Sequence, residues 1–525
     1  MKPPQHYEGG GFCYRALEIT ELVHAICSFL DERSCANLLG VSRHLYAAVL
    51  PLVWEDVDFK HVLRLIPGMS MTPDDPEAHC IVFNFPTISD ISRFNVHSPL
   101  VKTLRTSHAY AINFPGKWPG LSSGSTAQPL LPNLQRLIIN SRGLVDVAAV
   151  VDWIPRLLHT GLLGLEMFLL KPTGDVERKY HPWMDSNTSF DLISQISRTC
   201  PHLKVLRMFP KEIYRQEVGD CAKTWKLIGN WQHLRSFTFS GTLVHNELLV
   251  ALGQLPRLET LSLCSDQRDR VSEHQYNMLN VPGDSFTSLR HLYLHRLNQN
   301  TMSCLCQVST LFRYLATLAI SFESSFLASG DTLNAERANI TIRCLGQNSP
   351  HLQNFTVHTR AGDGRFVTSR STIDKFRCMP LRYLELDGIA IDLDPYLDHA
   401  ESESETRSTD VPRGRLLRVG WKDFLISVPH LEELHLLQEP FKLQKLQLLA
   451  SHLPKLRLLC GRFFLSGIAE PYHRADSHPA TQPIVLRGRL FISQAQTFDP
   501  DPPLTVEHIS NAARFVTRST GESRN

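Results

Sequence analysis

No stretch of this 525-residue chain is apolar for long enough to cross a bilayer. The nearest, LLHTGLLGLEMFLLK at 157–171, is interrupted by His159 and Glu166. The opening MKPPQHYEGGGFCYR lacks the apolar run of a secretory signal. An excess of one charge is missing too. Lys+Arg 54 against Asp+Glu 52 leaves a net +2, so no global field draws the chain to a nucleic acid, an anionic membrane or an acidic substrate. The twelve cysteines are scattered and, apart from Cys304-Leu-Cys306, show no short spacing suited to zinc or a redox pair. Such usage predicts free thiols and a cytoplasmic or nuclear chain without membrane or nucleic-acid partners.

Catalytic signatures are equally thin. Gly120-Leu-Ser122-Ser-Gly124 has the spacing of a hydrolase nucleophile elbow. That motif works only on a tight strand-to-helix turn, and here Trp118-Pro119 precedes it and STAQP follows. The GGG at 9–11 and GDG at 362–364 lack the strand, helix and spacing of a nucleotide loop. The 24 histidines form no paired metal-binding pattern with acidic partners, and His202, His233, His351 and His430 fall instead just before a recurring leucine. The reading is a non-enzymatic chain with no catalytic residue, metal or cofactor.

What the sequence does contain is a repeat. From about residue 100 a phrase returns with Leu-x-x-Leu-x-apolar at its centre, often preceded by apolar-Pro-x. Clear instances are LPNLQRLII at 131–139, CPHLKVLRM at 200–208, WQHLRSFTF at 231–239, LPRLETLSL at 255–263, FTSLRHLYL at 286–294, SPHLQNFTV at 349–357 and VPHLEELHL at 428–436. The first leucines of seven successive phrases, Leu203, Leu234, Leu258, Leu289, Leu315, Leu352 and Leu381, stand 31, 24, 31, 26, 37 and 29 residues apart. Each phrase reads as a turn followed by a short strand. Strand side chains alternate, so Leu258, Leu261 and Leu263 face one side and Thr260 and Ser262 the other. Between phrases, Leu192, Ile193 and Ile196, then Leu248, Leu249 and Leu252, then Leu443, Leu446 and Leu449 have helical spacing.

Short strands joined by return helices become parallel neighbours with the helices on one side. The pattern resembles the long, irregular form of the leucine-rich repeat over roughly residues 100–465, although the Asn or Cys that usually follows the strand is mostly absent. The resemblance implies an α/β horseshoe with a concave parallel sheet and outer helices. The polar stretches at 115–129 and 394–415 are too poor in apolar residues to order themselves.

Ahead of the repeats stands ELVHAICSFLDERSCANLLGVSRHLYAAVLPLVW at 21–54. Thr20 is expected to cap a first helix and Ser34 a second, with Pro51 and Trp54 closing the segment. Leu22, Ile26, Phe29 and Leu30 form one apolar stripe, while Val23 opens a second face; helices apolar on more than one side need partners. Residues 17–57 resemble an F-box, in the form frequent in fungal F-box proteins. The match rests on Ile19-Thr20-Glu21-Leu22, Ile26-Cys27-Ser28-Phe29-Leu30-Asp31, Leu38-Leu39-Gly40-Val41-Ser42-Arg43 and Val53-Trp54. Thr20, Ser42 and Leu45 depart from the usual Pro, Cys and Trp.

The expected organisation is a disordered N-terminus at 1–14, an F-box at 15–60, a linker and capping region at 61–99, a solenoid at 100–495 interrupted near 394–415, and a flexible tail at 496–525. The resemblance implies an adaptor whose F-box docks on the Skp-type subunit of a cullin ubiquitin ligase while the repeats hold a protein substrate. Its adaptor-binding residues would be Ile19, Leu22, Val23, Ile26, Phe29, Leu30, Leu38, Val41, Leu45 and Trp54. On the repeats, the residue between the last two apolar positions of each phrase should point away from the helices. This gives Arg207, Thr238, Ser262, Tyr293, Ala319, Thr356, Glu385 and His435 as the candidate substrate-facing set.

Overall fold

The computed structural model describes residues 17–75, 80–84, 91–106, 109–113, 129–141, 153–169, 183–210, 225–241, 245–265, 279–297, 299–322, 342–359, 366–367, 374–387, 389–390, 421–442, 449, 451–464 and 485–491. The glycine-serine motif at 120–124, the triplets at 9–11 and 362–364, the insertion at 394–415, Leu443, Leu446 and the two termini lie outside the described residues. The chain divides into two compact units, Met1–Ser240 and Gly241–Asn525.

Three helices open the first unit: α1 (Thr20–Cys27), α2 (Glu32–Leu38) and α3 (Arg43–Glu55). They close around Val23, Cys27, Cys35, Leu45, Ala48 and Val49, with Leu38, Leu39, Leu52 and Val53 packed at the edge. A hydrogen bond from His24 Nε2 to the Ala48 carbonyl, at 3.0 Å, ties α1 to α3. The caps differ from the sequence expectation. Ile19, not Thr20, precedes α1 and makes no side-chain cap, because the helix already includes Thr20. Asp31, not Ser34, caps α2 by accepting from the Ser34 amide at 2.7 Å. Hydrogen bonds from Ser34 hold the Asp31 carboxyl below its usual range. Ser42 caps α3, accepting from the Leu45 amide at 3.1 Å, so its hydroxyl has a local role that the usual Cys would fill poorly. Pro51 does not end α3, which runs on to Glu55.

The sheet begins earlier than the leucine phrases. Strand β1 (Asp56–Asp58) follows α3 directly and pairs in parallel with β2 (Thr103–Thr106). Arg105 Nε donates to Asp56 at 2.7 Å and its second nitrogen bonds the same carboxylate, while Lys102 meets Glu55 at 3.1 Å. The sheet of the first unit continues through β3 (Arg136–Ser141), β4 (Gly164–Leu169), β5 (Val205–Arg207) and β6 (Ser236–Ser240), each parallel to its predecessor. In the second unit β7 (Thr260–Cys264), β8 (His291–His295), β9 (Thr317–Phe322), β10 (Asn354–Thr359), β11 (Tyr383–Asp387), β12 (Glu433–Lys442), β13 (Leu458–Phe464) and β14 (Val485–Phe491) do the same. Parallel strands in chain order with intervening helices are the architecture of a solenoid. Each unit is therefore an α/β fold of the kind the repeats predicted.

The phrase maps onto a fixed local structure. Its apolar-Pro-x-Leu portion is a turn closed by the leucine amide: Leu134 donates to the Leu131 carbonyl, Leu203 to Cys200, Leu352 to Ser349, Leu431 to Val428 and Leu456 to Leu453, at 3.1–3.3 Å. Proline suits the second turn position because its φ is already fixed there. The third position holds His202, His351 and His430, all exposed, which accounts for the recurring histidine. After the turn the alternating residues enter the core. Leu255, Leu258, Leu261 and Leu263 are buried, as are Phe286, Leu289, Leu292 and Leu294 in the next repeat. Helices cover this face: Leu192, Ile193 and Ile196, and Leu248, Leu249 and Leu252, are buried, and Phe376 packs against both Phe355 and helical Phe424.

Two histidines are half-buried. Desolvation lowers the pKa of both His159 and His245, and His159 Nε2 has no hydrogen-bond partner among the described residues. Below about pH 6.5 the unfolded chain takes up protons that these folded imidazoles resist, so stability falls as the pH drops through that value. The H159Q/H245Q variant should lose less stability than wild type between neutral and mildly acidic pH in denaturant titrations; equal losses would contradict this. Leu261→Ala should cost about 2–5 kcal/mol through the cavity it leaves, whereas Tyr293→Ala, on the opposite face, should lower stability far less. A comparable loss at Tyr293 would contradict the strand register.

Candidate functional site

Helix α1 is apolar on two sides. Val23 and Cys27 enter the three-helix core, while Ile19, Leu22 and Ile26 remain exposed at helical spacing. Phe29 and Leu30 extend the exposed set beyond the helix, and Val41 joins it from the α2–α3 connection; Phe29 is 89% exposed and Val41 66%. An uncovered phenylalanine and isoleucine run at this density is costly in water, which makes it a candidate interaction surface. Not all of the residues predicted to meet an adaptor lie on it. Val23 and Leu45 are buried inside the cluster and Leu38 packs against it, so these three hold the helices together. Trp54 is half-buried, its ring 4.6 Å from that of His97, which fastens the end of α3 to the residues preceding β2.

On the sheets, the side chains opposite the buried leucines fall in register. In the first unit Thr238 pairs with Arg207 and Arg207 with Glu166. In the second unit Ser262 pairs with Tyr293, Tyr293 with Ala319, Ala319 with Thr356, Thr356 with Glu385 and Glu385 with His435. Leu292 and Leu294 are buried on either side of a half-buried Tyr293, as the alternation requires. Two predicted residues do not reach a ligand-accessible surface. Thr238 and Ser262 are each 4% exposed. Thr238 accepts a long hydrogen bond from Arg207 Nε at 3.4 Å, and Ser262 lies beside Cys264 and in register with the larger Tyr293. A short hydroxyl side chain flanked by long neighbours is overtopped by them.

The positions one column earlier were not singled out in the sequence, although the same phrase reaches them. There Tyr383 pairs in register with Glu433. Tyr383 donates to Glu385 Oε2 at 2.6 Å, and burial followed by this hydrogen bond raises its pKa above the ordinary tyrosine value. The Tyr383 and His435 rings are 4.9 Å apart, His435 Nε2 is 3.8 Å from Glu433, and His358 is 3.6 Å from Asp387. β11 and β12 thus carry a compact block of aromatic, imidazole and carboxylate groups.

Among the described residues no group of three or more His, Cys, Asp or Glu is placed to hold a metal ion, and no helix is long and apolar enough to cross a membrane. Cys304 and Cys306, the close pair in sequence noted above, lie together on the helix Gln299–Gln307.

No family model matches the chain, and no curated protein matches it. Among solved structures it is similar to a chain in the crystal structure of the Rad7 and Elc1 complex in yeast, at 14% identity and TM-score 0.36, over 74% of this chain and 81% of that one. It is also similar to a chain in the crystal structure of a TLR13–ssRNA13 complex, at 14% identity and TM-score 0.31, over 70% of this chain and 48% of that one.

Proposed function

We propose that this chain is a non-enzymatic protein-interaction adaptor: α1 to α3 act as an F-box that docks on the Skp-type subunit of a cullin ubiquitin ligase, and the repeats present a protein substrate for ubiquitin transfer. The observation that carries the reading is the exposed side of α1. Ile19, Leu22 and Ile26, continued by Phe29 and Leu30, lie uncovered on a helix whose other side already closes a core, and these residues fall within the segment that resembles an F-box. A helix with a second apolar stripe suits helix-on-helix recognition. The outward residues of parallel repeats suit recognition of a protein, since their chemistry varies from Arg207 through Tyr293 to Glu385 and presents no uniform positive surface for a phosphate backbone.

Replacing Ile26 and Leu30 together by Asp should abolish binding of a purified Skp-type subunit and leave the melting temperature close to wild type. Both side chains are exposed in the free chain, so the cost of the carboxylates arises only when a partner buries them. Val23→Asp should instead unfold the three-helix cluster, because Val23 is in its core. Wild-type affinity in the Ile26/Leu30 variant would contradict the adaptor reading.

A further inference from the structure

Beneath the exposed side of α1, two thiols meet. Cys27, the last residue of α1, and Cys35, in α2, both belong to the three-helix core. The Cys35 thiol donates to the Cys27 carbonyl at 3.5 Å, and the two thiols share a hydrogen bond of their own. The same carbonyl accepts from the Leu30 amide at 3.1 Å, so the sulfur pair and the turn that carries Phe29 and Leu30 are joined at one atom.

Bringing two distant sulfurs together is the usual entropic cost of a disulfide. Here the fold has already done so, across only eight positions of sequence. Cys304 and Cys306 make the contrast: they stand two apart on one helix and so face different sides. Burial, followed by the neighbouring Cys35, raises the pKa of Cys27, so its thiolate forms mainly when the small cluster opens. Exchange at this pair is therefore slow rather than unfavourable.

We propose that Cys27 and Cys35 are a dithiol–disulfide pair, oxidised by exchange with a small disulfide of the glutathione class, and that the bond staples α1 to α2 beneath Phe29 and Leu30. One thiolate of the pair attacks a sulfur of glutathione disulfide and expels one glutathione thiolate, leaving a mixed disulfide. The other thiolate attacks the protein sulfur of that intermediate, which forms the Cys27–Cys35 bond and releases the second glutathione. Two protein thiols are oxidised, one glutathione disulfide is reduced to two thiols, and the two protons pass to the departing sulfurs. The pair itself does not depend on what meets α1. Only its bearing on docking rests on the adaptor reading, under which the surface becomes redox-dependent.

The test equilibrates the full chain with excess glutathione disulfide or with excess glutathione, quenches in acid, and alkylates the remaining thiols before peptide mass spectrometry. Peptides joined through Cys27 and Cys35 should dominate the oxidised sample and vanish from the reduced one, while Cys304 and Cys306 stay unlinked to each other. Amide exchange over residues 28–35 should slow at least about tenfold on oxidation, because a cross-linked cluster opens less often. C35S should show no such slowing. Cys27 and Cys35 recovered alkylated from the oxidised chain, carrying glutathione separately, or joined to other cysteines would overturn the proposal, as would exchange over 28–35 that ignores oxidation. The mapping needs no variant, so a folding defect in C35S leaves the proposal open to refutation. No Skp-type subunit enters the assay, so its failure is distinct from a failure of the adaptor reading.

Discussion

The backbone contact that recurs through the described repeats is one carbonyl accepting two amides. Glu259 accepts from Arg290 and His291, Arg290 from Ala316 and Thr317, Ala316 from Gln353 and Asn354, Gln353 from Arg382 and Tyr383, and Arg382 from Glu432 and Glu433, at 2.8–3.0 Å. The first unit repeats it from Lys102 through Gln135, Leu163 and Lys204. Because each accepting carbonyl immediately precedes its strand, the bond sets where the next strand begins relative to the last. Register follows, and with it the choice of which side chains are buried and which face outward. A slip of one residue would bring Tyr293 and Glu385 into the apolar layer and put Leu292 and Leu384 in water.

That constraint explains why the connections vary so widely while the sheet does not. The steps between successive leucines range from 24 residues, between Leu234 and Leu258, to 50, between Leu381 and Leu431. The turn and the strand nonetheless recur with the same bonds, since the longer connections do not interrupt the local hydrogen bonding. Loop length costs little in comparison with a buried leucine. The same economy applies at the start of the chain, where α3 passes into β1 with no intervening residue and the Asp56–Arg105 and Glu55–Lys102 pairs join helix end to sheet.

The parts legible in the sequence were those governed by local periodicity. The Leu-x-x-Leu phrase announced turn, strand and orientation, because apolar side chains at alternating positions admit one burial pattern. The stripe Leu22, Ile26, Phe29 and Leu30 announced an exposed surface for the corresponding reason. What periodicity does not carry was missed. Three-residue β1, Asp56-Val-Asp58, has one apolar side chain and no leucine phrase, so only its pairing with β2 identifies it. The helix caps turned on which of two adjacent polar residues supplied the acceptor, Asp31 or Ser34. The burial of Thr238 and Ser262 depends on Arg207 and Tyr293, each 31 residues distant in sequence and adjacent only across the sheet. The Tyr383–Glu385–His435 block is hidden for the same reason.

In the proposed adaptor the N-terminal helices dock while the repeats stay available to a second protein. Hydrogen–deuterium exchange on the full chain, with and without a purified Skp-type subunit, tests it most directly. Added protection is expected across residues 19–30 and around Val41, with exchange along β7 to β12 unchanged. Protection confined to the strands, or none at α1 under saturating subunit, would contradict it.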